Sequence, residues 1–178
     1  MKKYKLVDQE GYTRRGDAGE TYWLDGKEKV AKGPGMELCS NDVIHYYDHP
    51  ALAIIFNPIH AGLKNPRVIE IEIDKEVIYD GLKGGCKKAK YLCEIAIPQI
   101  SLEQKVKFAI VCSLEVYREK SYVAWAQDWL NKKNRTVSAA WAASAVSDAC
   151  AESAESAAES AEMRSFFIET IESILKGE

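Results

Sequence analysis

Within the first hundred residues, short segments have the apolar and polar pattern of strands, and alternation with a period of two is typical of a half-buried strand. The pattern is clearest at residues 67–74, where valine and isoleucine alternate with Glu70 and Glu72. Shorter runs rich in β-branched and aromatic residues predict further strands at 4–8, 21–24, 36–39, 43–47, 77–79 and 90–97. A glycine- and lysine-rich segment, residues 81–88, is predicted to be a loop between the last two strands.

One short helix is predicted among these strands, at residues 50–56. Asp48 is suited to cap its N-terminus, and Pro50 is suited to the first helical position. The dipeptide Asn57-Pro58 is predicted to end it.

After residue 100 the apolar spacing changes to three and four, which predicts helices. Ser101 and Gln104 match a capping box and predict a helix over residues 101–118. Ser121 is predicted to cap a second helix, whose apolar face includes Trp125 and Trp129. Strands followed by helices indicate the α+β class, with a small, mostly antiparallel sheet and a helical C-terminal region.

The C-terminal region, residues 136–178, is rich in alanine, serine and glutamate, and we call it the arm. Residues 138–175 contain no proline or glycine, and their small and apolar residues recur every three or four positions. This spacing predicts one long helix or a helical hairpin that packs along its length. The chain is therefore divided into an α+β domain, 1–135, and the arm.

Two surfaces of the arm are predicted to bind a partner. One is an acidic stripe with helical spacing, formed by Asp148, Glu152, Glu155, Glu159 and Glu162. The other is an apolar face near the C-terminus that includes Phe167, Ile168, Ile171, Ile174 and Leu175. An apolar face of this kind predicts burial, either by folding back or by self-association with another copy of the chain.

The charge distribution supports a partner for the arm. The 178 residues carry a net charge of −3, but the arm has two basic groups against eight acidic ones. Residues 1–135 are therefore mildly basic, and the asymmetry indicates contact between the two parts or a basic partner.

Composition also indicates a compartment. The five cysteines show no CxxC spacing, the N-terminus lacks an apolar core, and no run of 18 apolar residues occurs. We therefore expect a cytoplasmic protein with reduced thiols and without a membrane partner.

Candidate chemistry is sparse. Lys83, Lys87 and Lys88, in the glycine-rich segment, could surround a phosphate group, although a connection between strands also needs glycines. Cys39, His45, His49 and His60 lie within 22 residues of one another, but their spacing is not that of structural zinc sites. We interpret these histidines as structural and expect neither a metal nor a cofactor. Trp125, Trp129 and Trp141 have helical spacing, which favours packing over direct nucleic-acid binding.

The chain resembles a family of small phage and prophage proteins over nearly its whole length. It begins with a Tyr-Lys-Leu strand, carries a Leu-Cys…His…Pro…Ala pattern within residues 37–53, and ends in an alanine-rich region. Residues 57–58 and 67–73 continue the resemblance. It implies a viral accessory protein that acts in the bacterial cytoplasm on a host or defence protein.

A more distant similarity is to the ADP-ribosyltransferases. In that family a first strand carries His or Arg, a later strand with Tyr or Ser precedes a short helix, and a final strand carries Glu. Lys5, Tyr46 or Tyr47, and Glu94 fall in these places. The similarity implies NAD as the cofactor, with Glu94 and Tyr46 or Tyr47 as catalytic residues.

Three functional hypotheses follow. The chain binds and inhibits a host or defence macromolecule through its body and acidic arm. Alternatively, it transfers ADP-ribose from NAD, or it captures a nucleotide signal through its lysines without converting it.

Overall fold

A computed structural model describes residues 1–13, 21–81, 83–133 and 161–177 of the chain. These residues form two compact units, 1–99 and 100–178, which are described separately below. The first unit contains the strands and one helix, and the second contains helices. The predicted α+β class is confirmed.

The strands of the first unit all pair in antiparallel fashion. They are β1 (Lys2–Val7), β2 (Tyr12–Thr13), β3 (Thr21–Tyr22), β4 (Glu28–Val30), β5 (Ile44–Tyr46), β6 (Arg67–Ile73), β7 (Glu76–Tyr79), β8 (Gly84–Cys86) and β9 (Lys88–Ile95). One sheet has the order β1-β6-β9-β4, a second has the order β5-β8-β7, and β2 pairs with β3. The helix α1 (Pro50–His60) follows β5 and packs on β1.

The two larger sheets share one hydrophobic core. The alternating strand β6 contributes Ile69, Ile71 and Ile73 to it, as the sequence pattern predicted. The other buried members are Val7, Trp23, Ile44, Tyr46, Cys86 and Ala89. Burial of apolar side chains from both sheets in this common core stabilises both.

Several sequence predictions for this unit were wrong. Residues 36–39 do not form a strand, and residues 38–39 lie in a turn in which Cys39 has a φ of 65°. The short strands β2 and β4 were not predicted, because two or three residues carry too little pattern. The predicted loop at 81–88 contains the central strand β8.

The strand β8 consists largely of glycine because a large side chain lies across it. Tyr46, on β5, packs its ring over Gly84, and its hydroxyl donates to Glu76 on β7 at 2.5 Å. A Cβ at Gly84 would collide with the ring. The glycines that suggested a loop are therefore needed for close packing within a sheet.

The boundaries of α1 also differ from the prediction. The N-cap is His49, whose Nδ1 accepts a hydrogen bond from Ala51 N–H at 3.2 Å, because Asp48 is occupied by an ion pair with Lys3. The helix continues past Pro58 to His60. Proline removes only one hydrogen bond here, and burial of the apolar face of α1 offsets that loss.

The second unit contains α2 (Leu102–Val116), α3 (Lys120–Leu130) and α4 (Ala161–Lys176). The capping box of Ser101 and Gln104 is confirmed. The prediction that Ser121 caps α3 was wrong, because the carboxylate of Glu119 accepts from the N–H groups of Ser121 and Tyr122 instead. A charged acceptor at this position binds the helix N-terminus more strongly than a hydroxyl does.

The helix α4 packs on α2. Phe167, Ile171 and Ile174 are buried, and the Phe167 and Phe108 ring centroids are 6.2 Å apart. Gln104 Nε2 donates to the Ile174 carbonyl at 3.1 Å. This part of the arm therefore folds back within its own unit. Ile168 and Leu175 are only half-buried.

The rest of the arm lies outside the described residues, and so do Asp148, Glu152, Glu155 and Glu159 of the acidic stripe. The side chain of Glu162 is also outside them. None of the described helices combines the length and the apolar character needed to cross a membrane.

Gly84→Ala should destabilise the protein, by about 1–3 kcal/mol, because the added methyl group overpacks against the Tyr46 ring. Urea denaturation would measure the loss. In a Tyr46→Leu background the same substitution should cost clearly less. An equal cost in both backgrounds would contradict the proposed contact.

Phe167→Ala should lower the free energy of unfolding of the second unit by about 3–5 kcal/mol, because it empties a buried site between α4 and α2. The neighbouring Phe166→Ala is the matched control and should cost much less, since Phe166 is only half-buried. Chemical denaturation followed by circular dichroism would compare them. Equal losses would show that α4 does not dock through Phe167.

Candidate functional site

The candidate site lies where the two larger sheets separate. At the outer edge of β1, Tyr4 forms an isolated antiparallel bridge with Tyr47, which follows β5. The two backbone hydrogen bonds of this bridge measure 2.9 and 2.8 Å. The next residue of β1, Lys5, contacts β5 through its side chain. Its Nζ donates to the His45 carbonyl at 2.8 Å. A cleft opens beside this connection.

The cleft contains a cavity of about 600 Å³. It is lined by Lys5, Leu6, Thr13, Cys39, Ser40, Asn41, His45, Tyr47, His60, Ala61, Leu63 and Lys83. Its volume falls within the range of roughly 300–1,000 Å³ that is typical of small-molecule sites. The walls combine apolar surface with a few polar groups, as such sites do.

Two lysines give the cavity its charge. Lys5 and Lys83 are only 8% and 4% exposed. The Lys5 ammonium also lies over the Trp23 ring, 5.4 Å from its centroid, and Lys83 Nζ is 3.5 Å from Asp80 Oδ2. Among the described residues that line the cavity there is no aspartate or glutamate. The described lining thus contains two basic and no acidic side chains, and Asp80 behind it offsets part of the charge of Lys83.

One wall of the cavity is aromatic. The His60 ring stacks on Phe56 and on Tyr47, with centroid distances of 5.3 and 5.9 Å. His60 Nδ1 is also 2.9 Å from the Tyr47 hydroxyl. The two ring contacts and the hydrogen bond together hold the imidazole in one orientation.

Both polar groups of this wall are uncharged near neutral pH. Burial, assisted by the positive charge of Lys83, lowers the pKa of His60 to about 4. Burial also strongly raises the pKa of Tyr47. The wall therefore offers hydrogen bonds without adding charge.

His60 Nε2 is buried and has no hydrogen-bond partner among the described residues. The neutral ring carries its proton on either nitrogen, depending on which way the hydrogen bond with Tyr47 runs. If Tyr47 donates, the proton is on Nε2, and if Nδ1 donates, Nε2 is an acceptor. In the second tautomer the Tyr47 O–H proton can point towards a bound molecule.

Another part of the wall belongs to the segment 33–42, which Lys87 holds in place. The Lys87 ammonium donates to the carbonyl oxygens of Gly33, Gly35 and Asp42, which uses all three of its N–H groups. Within the segment, the N–H of Cys39 donates to His45 Nε2 at 2.9 Å. The half-buried Lys87 ammonium thus helps to position the segment that carries Cys39, Ser40 and Asn41 at the cavity.

A third part of the wall follows α1. The Asn57 side chain makes two hydrogen bonds to the backbone of Leu63, at 2.9 and 3.1 Å. These bonds fix the turn that carries Ala61 and Leu63 into the lining. The asparagine that was expected to end the helix therefore shapes the cavity.

The structure separates the candidate catalytic residues named from the sequence. Tyr47 lines the cavity, whereas Tyr46 is buried in the core and bonded to Glu76. Glu94 is exposed on β9 and forms an ion pair with Arg67, which lowers the pKa of its carboxyl. Glu94 is not among the described residues of the cavity lining.

The candidate lysines are also divided. Lys83 lines the cavity, and Lys87 supports the segment 33–42 from behind. Lys88 is exposed, with Nζ 3.7 Å from Glu28. Of the candidate partner-binding residues, Phe167 and Ile171 are buried within the second unit.

Sequence reasoning did not assign Lys5 and His60 to a common site. The sequence feature that could have indicated Lys5 as a site residue is its position inside a strand that is otherwise half-buried. Three or more His, Cys, Asp or Glu residues grouped as for a metal ion do not occur in the described part of the chain.

Comparison with known proteins gives no relative. No protein-family model, curated protein or solved structure matches this chain. The functional argument therefore rests on the geometry of the cavity.

His60 should remain unprotonated at pH 5, because its pKa lies near 4 in the folded protein. Unfolded histidine titrates near 6.5, so the unfolded chain binds more protons below that pH and stability should fall from about pH 6.5 towards 4. NMR titration of the imidazole resonances, with His60→Gln for assignment, measures this directly. A His60 midpoint at or above 6.5 would contradict the burial described.

Proposed function

We propose that this chain is a binding protein for a small anionic molecule of the nucleotide class, which it holds in the cavity without converting it. The observation that carries the proposal is the pair of buried lysines, Lys5 and Lys83, in a cavity whose described lining has no carboxylate. A buried charge is costly to desolvate, and an anion bound in the cavity would offset part of that cost for the lysines that line it.

The strength of the attraction depends on burial. Coulomb interactions are stronger in the low-dielectric interior than at an exposed surface, where water screens them. Asp80 neutralises part of the charge of Lys83, at 3.5 Å, and Lys5 donates to a carbonyl oxygen and lies over an indole ring. We therefore propose that both lysines contribute to anion binding.

The neutral wall supports a nucleotide over a simple anion. Tyr47 and His60 present ring surface together with uncharged hydrogen-bonding groups. Ser40 and Asn41 add further polar atoms to the lining. A base needs flat apolar surface and edge hydrogen bonds, and a phosphate needs cations, so the cavity offers both parts of a nucleotide site.

Binding without turnover is favoured because the candidate catalytic residues Tyr46, Tyr47 and Glu94 do not lie together at the cavity. The ADP-ribosyltransferase hypothesis needs Glu94 near the reacting bond, but Glu94 is paired with Arg67 and is absent from the described lining. General acid–base or nucleophilic roles require the carboxylate within hydrogen-bonding reach of the substrate.

Inhibition of a host or defence macromolecule through the arm stays a prediction, as does a phage or prophage origin. Most of the acidic stripe lies outside the described residues, and Phe167 and Ile171 are buried within their own unit. No described contact favours this function over ligand capture.

Calorimetric titration of the full-length protein with purine and pyrimidine nucleotides should detect binding of at least one of them. Lys5→Met and Lys83→Met should each weaken it by about tenfold or more, because a charge-assisted contact is lost. The exposed Lys90→Gln is the matched control and should bind as the wild type does. Thermal melting of each variant separates loss of affinity from loss of folding.

Cysteine alkylation provides a second readout of the same prediction. Cys39 is exposed and lines the cavity, and Cys93 is exposed on β9 outside the described lining. Bound nucleotide should slow the alkylation of Cys39 but not that of Cys93, as measured by peptide mass spectrometry. Absence of binding by every nucleotide at millimolar concentration, or equal alkylation rates with and without ligand, would overturn the proposal.

A further inference from the structure

The segment 33–42, which contributes to the cavity wall, is closed by contacts between its two ends. The Asn41 carbonyl accepts from the N–H of Gly33 at 2.8 Å. The Asp42 carboxylate lies against Gly33 and Gly35, and a Cβ atom on either glycine would collide with it. The segment is therefore a compact loop whose ends lie side by side.

One ammonium group holds these ends together. Lys87 Nζ donates to the carbonyl oxygens of Gly33 at 3.3 Å, of Asp42 at 2.7 Å, and of Gly35. Three carbonyl oxygens that face one point repel one another, so this arrangement depends on the cation between them. Loss of the ammonium group would remove the donor that these three part-buried acceptors share.

Asn41 is the residue of this loop that is best suited to contact a ligand. It is exposed and lines the cavity. Lys87 binds the carbonyls of the following residue, Asp42, and of Gly33, which is the backbone partner of Asn41. A carboxamide offers an acceptor and two N–H donors, which match adjacent groups on the edge of a nucleobase. The Ser40 hydroxyl, by contrast, is already bonded within the segment.

Lys87 itself is not among the described residues that line the cavity. All three of its N–H groups are engaged by the segment, which leaves no donor for a ligand. Any effect of Lys87 on binding is therefore transmitted through the conformation of the segment or through its charge at a distance.

We infer that Lys87 is a positioning residue, which sets the affinity for the ligand by holding Asn41 at the cavity, where the Asn41 carboxamide contacts the base. This inference rests on the proposed function, since it concerns the ligand of the same site. No bond is made or broken.

Calorimetric titration of the full-length protein with the nucleotide that binds best measures the contribution of each residue. Lys87→Met and Asn41→Leu should each weaken binding by about tenfold, because each misplaces or removes the same polar contact. The double variant should also lose only about tenfold, instead of the roughly hundredfold loss that independent sites would give. The adjacent, exposed Lys88→Met is the matched control and should bind as the wild type does.

Lys87→Arg separates position from charge. The planar guanidinium keeps the positive charge but cannot direct its donors at three carbonyl oxygens around one point, so binding should stay within about twofold of the Lys87→Met value. Wild-type affinity in Lys87→Arg would overturn the inference, because the charge would then be sufficient.

Hydrogen exchange followed by NMR tests the positioning without a ligand. The Gly33 N–H, which donates to the Asn41 carbonyl, should exchange at least about tenfold faster in Lys87→Met. The N–H groups of Tyr4 and Tyr47, in the bridge outside the segment, should keep their wild-type rates. Unchanged exchange at Gly33, or equally faster exchange at all three positions, would overturn the inference.

Two calorimetric results would also overturn it and leave the proposed function standing. One is an affinity of Lys87→Met within about twofold of the wild-type value, and the other is an additive loss in the double variant. If no nucleotide binds the wild-type protein, the proposed function and the binding role of Lys87 fail together, whereas the Gly33 exchange rates still decide whether Lys87 positions the segment.

Discussion

The candidate site depends on the connection between the edge strand β1 and the end of β5. Two backbone hydrogen bonds join Tyr4 to Tyr47, and one residue further along the connection passes to the side chain of Lys5. In a continuous antiparallel ladder the next backbone hydrogen bonds would form two residues beyond the Tyr4–Tyr47 pair. Here the His45 carbonyl accepts from the Lys5 ammonium, and Lys5 also lines the cavity. Lys5 therefore both links the two segments and forms part of the cavity wall.

Burial keeps His60 and Tyr47 at this cavity uncharged near neutral pH. Lys83 is close enough to His60 to help lower its pKa, so that wall stays neutral while the lysines remain the charged groups. A protonated His60 beside Lys83 would add repulsion in a partly buried place. Neutral rings and buried cations thus occupy different parts of one site, which is the division that a ligand with a flat part and an anionic part requires.

Some residues that suggested ligand chemistry are used for packing instead. Lys87 donates its three N–H groups to carbonyl oxygens of the segment 33–42. Gly84 has no side chain, which allows the Tyr46 ring to pack on it. Glycine beside lysine is therefore an ambiguous pattern. It is typical of phosphate-binding loops, but it also arises where a central strand passes under an aromatic ring and a half-buried lysine binds the backbone of a neighbouring loop.

The sequence alone determined the features that rest on local interactions. The alternation of β6 and the capping box of Ser101 and Gln104 involve residues two or three apart, so their patterns predicted the α+β class, one buried strand face and the start of α2 correctly. Tertiary structure decided the rest. It carried α1 past Pro58, made β8 a strand and brought Lys5 to the same cavity as His60 and Lys83. These outcomes depend on contacts between residues tens of positions apart, whose energies no local pattern records.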